Sequence, residues 1–117
     1  MTEPAAPISV LVVDDEAPAR ERLARLIGEI AGARVLGEAA TGREALEKAQ
    51  ALGPDVVLLD VRMPEMDGLE TARHLALLPS SPAIVFTTAY DEYALAAFEA
   101  QAIGYLLKPI RDRKSVV

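Results

Sequence analysis

Five polar side chains of this sequence have the chemistry of a site that transfers phosphate. Three are the carboxylates of Asp14, Asp15 and Asp60, one is the hydroxyl of Thr88, and one is the ammonium group of Lys108. A carboxylate can attack phosphorus to give an acyl phosphate, while cations neutralise the oxygens of the transferred group. We therefore expect Asp60 to be the nucleophile, with Lys108 paired to one phosphoryl oxygen and Thr88 donating its hydroxyl to another.

Three carboxylates held close together also predict a metal site. They repel one another by about 4 kcal/mol per pair at about 4 Å and an effective dielectric constant of about 20. Stability alone would not select such a cluster, and a divalent cation relieves the repulsion. An all-oxygen donor set without nearby His or Cys favours Mg²⁺ over zinc. We expect Asp14 and Asp15 to hold Mg²⁺, Asp15 more directly, and the acceptor Asp60 to be a further residue of this metal site.

Taken singly, each of these residues also has a purely structural explanation. Asp15 could cap a helix, and Asp60 could form a turn. Thr88 could likewise be a cap, and Lys108 a solvated surface charge. Only their occurrence together favours the chemical interpretation. The sole histidine, His74, falls in the middle of a predicted helix, and we expect it to have a surface or packing role.

Alternating strand and helix patterns must position these groups. Short apolar runs, several rich in β-branched residues, predict strands over residues 8–13, 34–38, 55–60, 83–88 and 104–107. Amphipathic stretches lie between them. Strands that alternate with helices through short loops predict a doubly wound α/β fold with a parallel sheet covered on both faces. Ligands of such sheets bind outside the carboxyl ends of the strands, where the five polar residues stand.

Four helices are expected between the five strands. The first has Pro18 in its first turn and ends at Gly32. Thr41 caps the second, and Asp67 caps the third, which extends to about residue 78. Asp91 can cap the fourth.

Composition limits the classes of function. The chain has 117 residues, of which 51% are hydrophobic, which predicts one globular domain. A net charge of −6 argues against direct binding of nucleic acid by this chain. No apolar run approaches the roughly 20 residues of a membrane span. The first residues do not resemble a signal peptide, so we expect no membrane association and a cytoplasmic location.

The domain boundaries are predicted from where the strand and helix pattern starts and stops. We expect residues 1–7 to be a flexible lead-in, residues 8–110 to be the domain, and residues 111–117 to be a tail where a fifth helix would begin. That tail is too short and too polar to complete the helix. We therefore expect a truncated last helix, with the exposed face packed against a second copy or the chain being a piece of a longer one.

Four ordered motifs resemble the receiver domain of bacterial response regulators, from about Ser9 to Ile110. They are the acidic pair after a strand (VVDDE), the acceptor strand and loop (VVLLDVRMPEMDG), the Thr-Ala step (FTTAY) and the Lys-Pro corner (YLLKP). The resemblance implies the flavodoxin-like, CheY-like strand order 2-1-3-4-5. The stretches ARERLARLIGEI and KPIR look closest to the LytTR-type, alginate-regulator branch.

The resemblance also implies roles for individual residues and partners. The backbone carbonyl of Arg62 would complete the metal shell, and Tyr105 would turn inward when Thr88 engages the phosphoryl group. A histidine kinase would be the phosphate donor, and a second copy of the chain is a candidate partner. DNA would be bound only through an output domain outside this chain. The domain would catalyse only its own phosphoryl transfer and dephosphorylation, and so would not be an enzyme in the usual sense.

Two other functions remain open on the sequence. A pseudo-receiver would be an interaction module without phosphorylation, which the full set of five polar residues disfavours. A Mg²⁺-dependent phosphatase of the haloacid-dehalogenase type also uses a strand-end aspartate. That chemistry usually uses a second acidic residue two positions after the nucleophile, where this chain has Arg62.

Overall fold

The fold is a five-stranded parallel sheet with helices on both faces. The computed structural model describes residues 6–89 and 102–108. The elements, in chain order, are β1 (Ile8–Val13), α1 (Ala17–Gly28), β2 (Ala33–Ala39), α2 (Gly42–Leu52), β3 (Val56–Asp60), α3 (Gly68–Ala76), β4 (Ala83–Thr88) and β5 (Gly104–Leu107). The strand order is β2-β1-β3-β4-β5, which confirms the predicted doubly wound topology. The fourth predicted helix with Asp91, residues 1–5 of the lead-in and the tail of residues 111–117 lie outside the described residues.

Two apolar clusters cover the sheet, one on each face. Alternate strand residues face opposite ways, so Val13 and Leu59 belong to one cluster and Val12 and Leu58 to the other. The first cluster is completed by small and branched side chains of α2 and α3, and the second by Leu23 of α1. Burial on both faces explains why the strands read as continuous apolar runs. None of the described helices is long and apolar enough to cross a membrane.

Two of the predicted helix caps are confirmed. Thr41 accepts a hydrogen bond from the backbone N–H of Glu44 at 3.1 Å and starts α2. Asp67 accepts one from the N–H of Glu70 at 2.8 Å and starts α3. These side chains satisfy N–H groups that have no partner within the helix. They fix where each helix leaves the carboxyl edge of the sheet.

The predicted ends of two helices are wrong by about half a turn to a turn. Helix α1 ends at Gly28 rather than Gly32, because the next N–H groups bond three residues back, Glu29 to Leu26 and Ile30 to Ile27. This tighter turn ends the α-helix. Gly32, with φ of 86°, then reverses the chain into β2. Helix α3 similarly ends at residue 76 instead of about 78.

At the amino edge of the sheet, hydrogen bonds join three strands. The Asp55 carboxylate accepts from the N–H and the hydroxyl of Ser9, at 2.9 and 3.1 Å. The Asp55 N–H donates to the Ser9 carbonyl at 3.0 Å, and the Asp55 carbonyl accepts from the N–H of Ala83 at 3.0 Å. The bonds from Ser9, backbone first, lower the pKa of Asp55. This edge is therefore well satisfied in its hydrogen bonding.

The hydroxyl of Thr87 in β4 is an exception in the core. The residue is fully buried, and its Oγ1 has no hydrogen-bond partner within the part of the chain that is described. Thr87 pairs in register with Asp60 on the neighbouring strand. Thr71 of α3 is equally buried, but its hydroxyl donates to the Asp67 carbonyl at 2.8 Å. The two threonines differ in hydrogen bonding at the same burial.

We predict that Thr87→Val stabilises the protein and that Thr71→Val destabilises it. Valine keeps the shape and removes an unsatisfied hydroxyl at position 87, so the free energy of unfolding should rise by about 1 kcal/mol. At position 71 the same change removes a hydrogen bond and should lower it by about 1 kcal/mol. Urea unfolding of both variants measures the difference. Equal destabilisation by the two substitutions would show that the Thr87 hydroxyl is in fact satisfied.

Candidate functional site

Three carboxylates meet at the carboxyl edge of the sheet. Asp14 directly follows β1, and Asp60 ends β3; the two strands are adjacent, with Val13 paired to Leu59. One carboxylate oxygen from each of Asp14, Asp15 and Asp60 lies within 4.8 Å of the others. Asp14 and Asp60 are buried, with relative exposures of 0% and 5%, whereas Asp15 is exposed. The structure therefore brings together the three acidic residues that the sequence predicted.

Asp14 is fixed on all sides. Its Oδ1 accepts from the backbone N–H of Glu16 at 2.9 Å, and its Oδ2 accepts from Lys108 Nζ at 2.6 Å. Its backbone carbonyl accepts from Arg20 Nη1 at 2.8 Å. Glu16 is the residue at the helix cap and makes no side-chain capping bond of its own. Asp14 thus forms the turn that leads into α1, and the exposed carboxylate of Asp15 lies beside those of Asp14 and Asp60.

Lys108 supplies a positive charge to the cluster. Its Nζ lies 2.6 Å from Asp14 Oδ2 and 3.5 Å from Asp60 Oδ1. The backbone N–H of Lys108 donates to the Thr88 carbonyl at 2.6 Å, which holds the residue at the end of the sheet. Burial opposes charging of this amine. The hydrogen bond to Asp14 and the charges of Asp60 and Asp14 outweigh burial, so the pKa of Lys108 is raised.

Asp60 is electrostatically unfavourable as an anion. Burial, and next the charge of Asp14, raise the pKa of Asp60 from 3.8 to about 7; Lys108 opposes this rise and Asp15 adds to it. In the absence of further cations, a substantial fraction of Asp60 is therefore protonated near neutral pH. A nucleophilic carboxylate must be ionised. Additional positive charge near Asp15 would favour that ionised form.

A close contact after β3 fixes the backbone of Asp60. Gly68, at the start of α3, donates its N–H to the Val61 carbonyl at 2.7 Å. A Cβ at position 68 would lie 2.0 Å from the Asp60 carbonyl oxygen, so only glycine fits without a backbone shift. Within the same loop, Glu65 adopts a left-handed backbone with φ of 66°. The loop thus turns back tightly on the strand that carries Asp60.

The other residues predicted for the site, and His74, have the following positions. Thr88 is buried at the end of β4, in register with Leu107, the residue before Lys108. Tyr105 is half-buried in β5 and packs against the apolar core cluster on the sheet face covered by α2 and α3. Arg62 is exposed in the loop two residues after Asp60. His74 is exposed on α3, in agreement with its predicted surface role.

Two positioning features were missed in the sequence. Arg20 is not among the residues predicted for the site, yet its side chain is only 21% exposed and its guanidinium donates a hydrogen bond to the Asp14 carbonyl. The spacing of six residues after Asp14 was the available signal, since the second turn of a helix can face the end of the preceding strand. Gly68 is likewise not among the predicted site residues, although its close approach to Asp60 fixes the backbone there. Its place directly after the capping Asp67 was the signal there.

The donor chemistry of the cluster fits a hard divalent cation. Its ligand atoms are carboxylate oxygens, the sequence contains no cysteine, and its one histidine lies on the surface of α3. Oxygen donors of this kind suit Mg²⁺, Ca²⁺ or Mn²⁺ rather than zinc. The exposed Asp15 keeps one side of the cluster open to solvent. The residues present can therefore hold such an ion together with its waters.

Comparison with known proteins gives a consistent result. Residues 10–116 match the family model described as the response regulator receiver domain. The chain is 54% identical over 106 residues to the positive alginate biosynthesis regulatory protein of Pseudomonas aeruginosa, covering 90% of this chain and 43% of that protein. It is 43% identical over 109 residues to the sensory transduction protein LytT of Bacillus cereus, covering 93% and 44%. The chain thus spans less than half the length of these curated relatives.

Solved structures agree with the sequence relatives. The response regulatory domain of mrkE from Klebsiella pneumoniae superposes with a TM-score of 0.80 at 34% identity, covering 88% of this chain and 84% of that one. The chemotaxis protein CheY4 of Vibrio cholerae gives 0.82 at 34% identity, covering 91% and 90%. The match to the alginate regulator and LytT confirms the predicted branch. With its fold, its acidic edge and these relatives taken together, this chain belongs to the receiver domain family of two-component response regulators.

Proposed function

We propose that this chain is a switch that is set by phosphorylation of Asp60, in a Mg²⁺-dependent reaction with a histidine kinase. The observation that carries the proposal is the position of the Asp60 carboxylate among Asp14, Asp15 and the ammonium group of Lys108. An anionic nucleophile beside a fixed cation and an open acidic ligand set is what phosphoryl transfer to a carboxylate requires.

The residues of the chain divide the work of this reaction. An oxygen of the Asp60 carboxylate attacks phosphorus, a P–O bond forms, and the P–N bond to the donor imidazole breaks, with its electrons staying on nitrogen. Asp14, Asp15 and Asp60, with the Arg62 carbonyl, would hold Mg²⁺, which when bound supplies positive charge to the phosphoryl oxygens. Lys108 would balance another of those oxygens.

The same contacts suggest how phosphorylation would be sensed. In the unphosphorylated protein, Lys108 is held by Asp14 and Asp60 at the end of β5. A phosphoryl group on Asp60 adds oxygens that compete for this ammonium group and for the hydroxyl of Thr88. Movement of Thr88 would allow Tyr105 to move further inward from its half-buried position. These two residues would pass the change from the site to the surface around β5.

The partners are proposed from the family and the relatives. A histidine kinase would be the donor, and the switch would control a LytTR-type DNA-binding output domain in a longer protein. The chain itself is acidic, with a net charge of −6, so DNA contact would fall to that output domain. A second copy of the chain is a further proposed partner. We propose a cytoplasmic location and no reaction beyond the chain's own phosphorylation and dephosphorylation.

We predict that acetyl phosphate with Mg²⁺ adds one phosphoryl group to the wild-type chain and none to Asp60→Asn. The amide keeps the shape of the acceptor but cannot attack phosphorus. Intact-mass spectrometry measures the adduct, and chelation of the metal should abolish it in the wild type. Asp67→Asn is the matched control, because asparagine caps a helix as well as aspartate does and should leave the adduct intact.

The outcomes separate the competing functions. A chain that gains no adduct under any of these conditions would be a pseudo-receiver. A chain that hydrolyses many phosphoesters with rapid turnover would instead be a phosphatase. An adduct that persists in Asp60→Asn would move the acceptor to another residue.

We further predict that Asp60→Asn stabilises the metal-free protein at alkaline pH. Because folding raises the pKa of Asp60 from 3.8 to about 7, its favourable effect on stability is complete below about pH 4 and is lost as pH rises through about 7. In EDTA at pH 8, the variant should therefore exceed the wild type by about 1–3 kcal/mol. Urea unfolding across pH measures this.

The exposed carboxylate of Glu47 in α2 provides the control for that measurement. Glu47→Gln makes the same acid-to-amide change away from the cluster and should follow the wild-type pH profile. Addition of Mg²⁺ should stabilise the wild type more than Asp60→Asn. A variant that is less stable than the wild type in EDTA at pH 8 would contradict the predicted cost of ionising the buried Asp60 beside Asp14.

A further inference from the structure

We propose that Arg20 is a positioning residue for the metal site, because its guanidinium holds the turn that carries Asp14 and Asp15 against β2. This inference rests on the proposed Mg²⁺ binding by those two residues. Arg20 lies in the second turn of α1, and Asp14 and Asp15 lie in the turn that connects β1 to α1. It would act through the backbone of Asp14 rather than by touching the ion or the phosphoryl group.

Two contacts join Arg20 to separate strands. Its Nη1 donates to the Asp14 carbonyl at 2.8 Å, and its Nε lies 3.5 Å from Glu38 Oε1 near the end of β2. The Arg20 side chain is 21% exposed and that of Glu38 is 41% exposed. A planar guanidinium can hold two acceptors in fixed directions at once, which a lysine ammonium on a flexible stem does less well. The end of β1 is thereby tied to both α1 and β2.

Glu38, the residue of β2 that Arg20 contacts, is itself held by neighbouring residues. The Glu38 carbonyl accepts a short hydrogen bond from Lys48 Nζ of α2. Lys48 also pairs with Glu44, one helical turn earlier, at 3.0 Å. The neighbouring Ala39 carbonyl accepts from the Asp14 N–H at 3.1 Å. Arg20 therefore connects the acidic turn to a braced part of the sheet rather than to a freely moving side chain.

Of the two acidic residues in this turn, Asp15 depends more on this connection for its position. It is exposed, whereas Asp14 is buried and bonded through both carboxylate oxygens. The backbone of the turn helps to set the position of Asp15, together with the hydrogen bond between its carboxylate and that of Asp60, and the Asp14 carbonyl is part of that backbone. Residues that orient metal ligands from outside the ligand shell commonly change metal affinity by 10-fold or more when they are replaced.

Charge and positioning predict opposite effects for Arg20. A positive charge near a cation site repels the ion, so removal of that charge alone would tighten Mg²⁺ binding slightly. Loss of positioning would weaken it. The direction of the change in affinity therefore decides between the two roles, independently of its size.

The test is the Mg²⁺ affinity of the wild type and Arg20→Gln, measured by calorimetry on the metal alone. We expect the dissociation constant of Arg20→Gln to rise about 10-fold. The rate of phosphorylation by acetyl phosphate should stay near the wild-type rate at saturating Mg²⁺. A loss confined to low Mg²⁺ is what a positioning role predicts, and thermal unfolding in EDTA reports any change in stability separately.

Arg25→Gln is the matched control, because Arg25 is an exposed residue of the same helix and loses the same charge. It should bind Mg²⁺ at least as tightly as the wild type. Unchanged or tighter binding by Arg20→Gln would overturn the inference. Failure of the wild type to bind Mg²⁺ would instead overturn the proposed metal site, and with it the role of Arg20.

A second variant covers the case in which Arg20→Gln does not fold. Arg20→Lys keeps the positive charge but lacks the planar fork of the guanidinium, so a charge effect alone would leave Mg²⁺ binding unchanged. Weaker Mg²⁺ binding by Arg20→Lys than by the wild type supports the positioning role. Binding equal to that of the wild type would contradict it.

Discussion

The structure around the site depends on one interaction, the repulsion among carboxylates held at one edge of the sheet. Oxygens of Asp14, Asp15 and Asp60 lie within 4.8 Å of one another, and two of the three residues are buried. Among the described contacts of these carboxylates, the positive charge comes from Lys108. One ammonium group does not balance three carboxylates. Burial first, and next the charge of Asp14, keep the pKa of Asp60 high, and a further cation at the site would favour its ionised form.

The parallel topology is what makes this cluster achievable. Asp14 and Lys108 are separated by 94 positions in the sequence, yet they form a 2.6 Å contact. Each residue needs only to end its own strand, since parallel strands finish at the same edge. The precise distances then come from local bonds, such as that of Glu16 to Asp14 and the close approach of Gly68 to Asp60. The parallel fold brings the charged side chains close together, and the turns after the strands set their orientation.

The sequence predicted the features that depend on pattern and missed those that depend on side-chain direction. Apolar runs and the caps at Thr41 and Asp67 are local signals, and the strands and two helix starts followed from them. The long reach of Arg20 to Asp14 depends on a side-chain rotamer and on the neighbouring strand, neither of which periodicity contains. The early end of α1 was missed because Ile30, two residues beyond the helix, continues the helical spacing of apolar residues through a tighter turn.

The two edges of the sheet differ in how well their polar groups are satisfied. At the amino edge, Ser9 and Asp55 satisfy one another through several hydrogen bonds. At the carboxyl edge, the structure keeps a buried carboxylate with a raised pKa and, in register beside it, the hydroxyl of Thr87, which has no hydrogen-bond partner among residues 6–89 and 102–108. Both features cost stability. A sheet edge selected for folding alone would lack both features, so their place beside Asp60 fits the proposed phosphorylated, metal-bound state, in which more charge and more oxygen acceptors are present.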